Sequence, residues 1–119
     1  MKELKITLPY CTDIRINAKF VSRKFIKNQK YRAYQELVEY EIIKTGNFLG
    51  FIPRKKVYVS CMVHRPDFKC DVGDAFTKGI FDAISSIIMV NDRYFAVGGW
   101  DWTLCKENPR LEIHIFQPE

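Results

Sequence analysis

Residues 56–64, KVYVSCMVH, constrain the fold more than any other stretch. Val57, Val59, Cys61 and Val63 recur with period two, and Tyr58 and Met62 leave the opposite side fairly apolar as well. A strand apolar on both faces belongs in the interior of a sheet, with strands on either side and a covering layer. This one is expected to end near Arg65 and Pro66.

The rest of the chain supplies the partners. LKITLPY alternates and stops at Pro9, which predicts a first strand over about residues 4–8. NQKYRAYQELVEYEIIKTG sets Tyr31, Tyr34, Leu37 or Val38, and Ile42 at helical spacing, with Gly46 as a natural stop. In a second helix, Phe76, Ile80, Ala83, Ile84 and Ile87 fall on one face, and Asp74, Lys78 and Asp82 on the other. YFAVGGWDWTLC and RLEIHIF both alternate around the turn-forming KENP, which predicts a terminal β-hairpin. The expected fold is α+β, a small mixed sheet with two helices in the order β-α-β-α-β-β.

With 119 residues, 47% of them hydrophobic and no Pro/Gly-rich linker, residues 1–119 are read as a single domain. The opening MKELKITLPY turns charged within a few residues, and the longest apolar run, AISSIIMV, is too short for a membrane span. The four cysteines contain no CxxC pair, so free thiols in the cytoplasm are expected.

The charge distribution is uneven. Although the chain carries a formal charge of +5, six of its seven aspartates (Asp67, Asp71, Asp74, Asp82, Asp92 and Asp101) lie between residues 67 and 101. Asp71 and Asp74 precede the second helix, Lys78 stands one turn inside it, and Asp92 follows it. A chain that turned back after Val90 would bring Asp92 toward the strand end carrying Asp67 and Asp71. Convergent carboxylates repel unless a cation sits among them, and an all-oxygen set suits a hard divalent ion such as Mg2+. Aspartates at a helix start also cap free N–H groups and complement the dipole. Asp82 also reads as an i,i+4 partner of Lys78, and Asp101 as a surface residue.

Arg15, Lys19, Arg23, Lys24, Lys27, Lys30 and Arg32 form a run with no acid among them, interleaved with Phe20, Phe25 and Tyr31. That composition suits phosphate backbones and unpaired bases, and equally a solvated surface. Together with the carboxylates it points to a metal-dependent nuclease. His64 reads as a hydrogen-bonded strand-end residue and His114 as a surface position. Trp100 and Trp102 share one face and read as core, a partner surface or a base-stacking platform.

The stretch RPDFKCDVGDAFTKGIFDAISSIIMVNDRYF resembles the central motif of RusA-like Holliday-junction resolvases, the crossover junction endodeoxyribonucleases. In that family aspartates precede a Lys-x-x-x-Asp-Ala-Leu/Ile helix and an aspartate pair follows it. ITLPY, the basic segment, the tyrosine-containing first helix and the chain length are also similar, so the resemblance spans nearly the whole chain. It implies a homodimeric, Mg2+-dependent endonuclease that makes paired nicks in four-way DNA junctions during recombination and repair, in bacteria, phages or prophages. By position, Asp74, Lys78 and Asp92 match the helix-start aspartate, the lysine and the second post-helix aspartate, and Asp71 stands for the first acid. The catalytic set implied is therefore Asp71, Asp74, Lys78 and Asp92, with Asp71, Asp74 and Asp92 on the metal.

Two departures stand out. The family writes Asp-x-Asp-Asn where this chain has Asp71-Val72-Gly73-Asp74-Ala75, and Asn91 replaces the first acid of the usual pair. They define the alternative expectation, a protein that binds branched DNA without cutting it.

Overall fold

The computed structural model describes residues 2–10, 24–68 and 77–119. The element order is β1 (Lys2–Pro9), α1 (Lys24–Lys44), β2 (Val57–Arg65), α2 (Thr77–Ile88), a 3-10 turn (Asp92–Tyr94), β3 (Phe95–Leu104) and β4 (Arg110–Gln117). The fold is α+β, with two helices and a mixed four-stranded sheet ordered β1-β4-β2-β3.

β2 is interior, as its two apolar faces require. It pairs antiparallel with β4 and parallel with β3, while β1 pairs antiparallel with the far side of β4. Val57, Val59, Cys61 and Val63 are buried, and the last three pair with Ile115, Ile113 and Leu111 of β4, which in turn face Leu4, Ile6 and Leu8 of β1. The helices supply the rest of this core: Tyr34, Val38 and Ile42 of α1, and Ile80, Ala83, Ile84 and Ile88 of α2. The spacing of four between Tyr34, Val38 and Ile42 keeps one stripe inward. Gly46, at φ +70°, ends α1, and its N–H donates to the Ile43 carbonyl at 3.0 Å.

α1 begins at Lys24, earlier than the sequence pattern suggests, so Lys24 and Lys27 join Lys30 and Arg32 in the helix. The expected terminal hairpin does not form. β3 lies at the sheet edge beside β2, and β4 lies on the opposite side of β2. Residues 105–109 therefore step across the end of β2, a lateral distance of about 10 Å that five residues span easily. The step is tied down where it starts, by the Cys105 N–H donating to the Arg65 carbonyl at 2.8 Å.

At the other end of the sheet, the buried Gln117 fixes the connection that leads into β2. Its Oε1 accepts from the Ile52 N–H at 2.7 Å, and its Nε2 donates to the carbonyls of Ile52 and Lys55 at 2.8 and 3.2 Å. Gln117→Leu strands these groups and is expected to lower stability by about 1–3 kcal/mol. Urea unfolding reads this as a lower midpoint with an unchanged slope.

Burial, with a smaller contribution from Glu112, pushes the Cys61 thiol up to about 12 from 9.0. In the unfolded chain the thiol ionises near its ordinary value, so the stability tied to the buried neutral form is intact below pH 9 and drains away as the pH rises toward 12. The loss amounts to about 4 kcal/mol across that window. Cys61→Val is expected to have a shallower alkaline decline in urea midpoint than the parent chain.

Candidate active site

The parallel pairing of β2 and β3, joined through α2, decides where the sequence's candidate residues fall. Val57 faces Phe95 and Arg65 faces Leu104, so both strands run toward the same end of the sheet. At that end β2 passes into residues 66–76, the connection that carries Asp67, Asp71 and Asp74, and α2 then starts at Thr77 with Lys78 in its first turn. Ligand sites of open sheets with parallel strands characteristically sit at this carboxyl end. Asp71 and Asp74 lie outside the described residues, as do Arg15, Lys19 and Arg23.

Asp92 lies at the opposite end. It opens the 3-10 turn just before Phe95, beside the start of β2, whereas Asp67 follows the last residue of β2. The intervening strand is roughly 26 Å long. The expected closure of Asp92 on Asp67 within one protomer therefore does not occur. That expectation assumed that the chain reverses into a hairpin after α2, whereas the structure uses α2 itself as the return leg of a parallel crossover. The exposed Asp92 sits in a turn organised by Asn91, whose Oδ1 accepts from the Arg93 N–H at 3.0 Å and from Arg93 Nε at 3.3 Å. Asn91 thus has a capping role that asparagine and aspartate fill equally well.

The carboxyl end of β2 and β3 also holds a cluster that the sequence reading missed. Arg65, buried despite its charge, donates from Nε to the Asp67 carbonyl at 2.8 Å. Its guanidinium carbon lies 4.9 Å from the Phe68 ring centroid and 5.0 Å from that of Trp102, and the two rings meet edge to face at 5.5 Å. A planar cation held against two aromatic faces is stabilised by their quadrupoles and keeps the entrance to the acidic connection in a fixed shape. The signal was present in the sequence, since Arg65 is the next member of the inward series 57, 59, 61, 63. Trp100 and Trp102 share the helix-facing side, as expected. Trp100 packs edge-on against Phe81 at 6.1 Å, and Trp102 stands 45% exposed.

The other face of the sheet mixes polar pairs with aromatic rings. His64 Nε2 contacts Glu112 Oε1 at 2.9 Å, and Arg110 Nε donates to the second oxygen at 3.1 Å. The hydrogen bond to His64, followed by that to Arg110, holds the Glu112 carboxyl below its ordinary range. His114 pairs with Glu3 and stacks on Phe116, which stacks on Tyr58. Both histidines are engaged here, His114 within β4 and His64 one residue before the end of β2, on the face opposite Arg65. Asp82 is half-buried on α2, and Asp101 is exposed, its Oδ1 accepting from the Trp102 N–H at 2.7 Å.

Among the described residues, no three His, Cys, Asp or Glu side chains lie close enough to hold a metal ion, and no helix is long and apolar enough to cross a membrane. The chain matches no protein-family model, and no curated protein shows a significant match to it.

Proposed function

We propose that this protein is a Mg2+-dependent, structure-selective endonuclease that resolves four-way DNA junctions by paired nicks as a homodimer. The observation that carries the reading is the placement of the acidic connection. Asp67, Asp71 and Asp74 occur in the segment that leaves the carboxyl end of a parallel strand and enters a helix at Thr77, with Lys78 in its first turn. The RusA-like pattern of the same stretch supports it.

The donor set fits the ion, because Asp71 and Asp74 offer only oxygen ligands and a hard divalent cation prefers them; Asp92, at the opposite end of the sheet from Asp67, falls outside that set within one protomer. When bound, the ion would supply an activated water and stabilise the leaving oxygen of the phosphodiester. Lys78 places a cation beside the charge that develops on the phosphate. Arg15, Lys19, Arg23, Lys24, Lys27, Lys30 and Arg32 hold flanking phosphates, which makes binding fall steeply with salt.

One observation favours a second reading, a protein that binds junctions without cutting them. Asn91, where the resolvase pattern has an acid, is committed to capping the turn at Arg93. Incubating the chain with a synthetic four-way junction and with linear duplex of the same sequence, in Mg2+ or EDTA, separates the readings. Paired nicks in the junction alone, lost in EDTA, are expected. Tight junction binding with no cutting in any divalent metal overturns the enzyme and leaves the binding protein.

A further inference from the structure

The amino ends of β2 and β3 lie side by side, since Val57 pairs with Phe95, and the segments that enter them enclose a cavity of about 320 Å³. Pro53 and Arg54 line it from the turn before β2, and Met89, Asn91, Arg93 and Tyr94 from the connection between α2 and β3. It stands at the end of the sheet opposite the acidic connection. Both walls hold a residue in the left-handed region, Arg54 at φ +63° and Met89 at φ +62°, and among the described residues no other non-glycine has a positive φ. Pro53 and Arg54 are the central residues of a turn, and a positive φ at the second is the type II arrangement that ordinarily takes glycine. Met89 follows the last residue of α2, its N–H donating to the Ser85 carbonyl at 3.0 Å, where glycine is again usual. Side chains kept at such positions are strained, and strain of this kind gathers at sites of use.

The two arginines are held in place. Gln117 bonds the backbone of Ile52 and of Lys55, so Arg54 projects from a turn fixed on both sides. Arg93 Nε donates to Asn91 Oδ1 at 3.3 Å, which orients the guanidinium and leaves the N–H groups of both Nη atoms for a ligand, with those of Asn91 Nδ2 beside them. Among the described residues no carboxylate pairs with Arg54 or Arg93. Asp92, between Asn91 and Arg93 in sequence, is exposed and does not line the cavity. Two guanidiniums therefore share one cavity whose lining contains no acid, and Lys55 and Lys56 add to the positive field.

We propose that this cavity binds a small phosphate monoester, its terminal phosphate gripped between Arg54 and Arg93 and its organic part resting on Pro53, Met89 and Tyr94. The dianion of a monoester balances two guanidiniums, whose forked N–H donors match phosphate oxygens. The volume is that of a small-molecule site and suits a ligand of nucleotide size. The site is separate from the acidic connection and stands independently of the nuclease reading.

Titrating the isotope-labelled chain with adenosine monophosphate, followed by amide chemical shifts, is expected to saturate at millimolar concentration or below, with the largest shifts at Arg54, Asn91, Arg93 and Tyr94. Arg54→Gly is the sharpest variant, because glycine suits φ +63°: the urea midpoint should hold while affinity falls about tenfold or more. Arg93→Gln should lose as much, and Lys106→Ala, exposed at the other end of the sheet, should bind as the parent chain does. Cyclic adenosine monophosphate, a diester with a single charge, should bind about tenfold more weakly, and adenosine not at all. Inorganic phosphate identifies the source: binding as tight as the nucleotide's supports a site for free phosphate, and weaker binding supports one for a nucleotide. A parent chain with no saturable shift for either phosphate overturns the proposal. So does an Arg54→Gly chain that binds like the parent, or adenosine or the cyclic diester binding as tightly as the monoester. If Arg54→Gly fails to fold, Arg93→Gln decides.

Discussion

Asp74→Asn is expected to reduce Mg2+-dependent cutting of a four-way junction by a factor on the order of 10³ while changing junction affinity only a few-fold. The substitution keeps size and shape but removes one negative charge from the oxygen set proposed to hold the ion. Binding rests on the separate cationic run from Arg15 to Arg32, so affinity and cutting should part company. Single-turnover cleavage alongside a gel-shift titration in Ca2+ measures both. Asp101→Asn is the matched control, since that carboxylate is exposed on β3, bonds the neighbouring Trp102 N–H and does not belong to the proposed oxygen set. Equal loss in both variants, or in neither, removes the assignment of Asp74.

Ile84→Ala is expected to cost about 2–5 kcal/mol, a large share of the roughly 5–15 kcal/mol that holds a domain of this kind together. Ile84 is fully buried in the cluster where α2 meets α1 and the sheet. Truncating it forfeits apolar transfer energy and leaves a cavity that two helices and a sheet cannot all relax to fill. Ile43→Ala, on the half-exposed side of α1, should stay within about 0.5 kcal/mol of the parent chain. Urea midpoints of the two variants make the comparison, and similar values would mean that α2 is not docked as described.

Local pattern made much of this architecture readable. The doubly apolar β2, the stripe Tyr34, Val38, Ile42 and the inward face of α2 are each set by side-chain periodicity within one element. Strand partners are another matter, because the turn residues of KENP favour a chain reversal without saying which strand lies across it. A cue was available. Leu111, Ile113 and Ile115 alternate as regularly as β2, fitting a central strand, while the two glycines of β3 fit an edge. Misplacing that one connection also misplaced Asp92, since a hairpin returns the chain to the acidic end and a parallel crossover does not. Arg65 escaped notice because charge at a strand end ordinarily means solvent, whereas here two aromatic rings and the Asp67 carbonyl enclose it.

The position of β4 has a consequence for biosynthesis. β4 separates β1 from β2 in the sheet, yet the ribosome makes it after both. Until residues 110–117 emerge, β1 has no strand to pair with and β2 has an open flank, so the nascent chain can dock its helices but cannot complete its sheet. Long-range pairing of this kind folds slowly and leaves apolar strand edges uncovered meanwhile. A ribosome stalled before Arg110 would display a sticky, chaperone-dependent intermediate, and synthesis of the final strand would convert it into the folded protein.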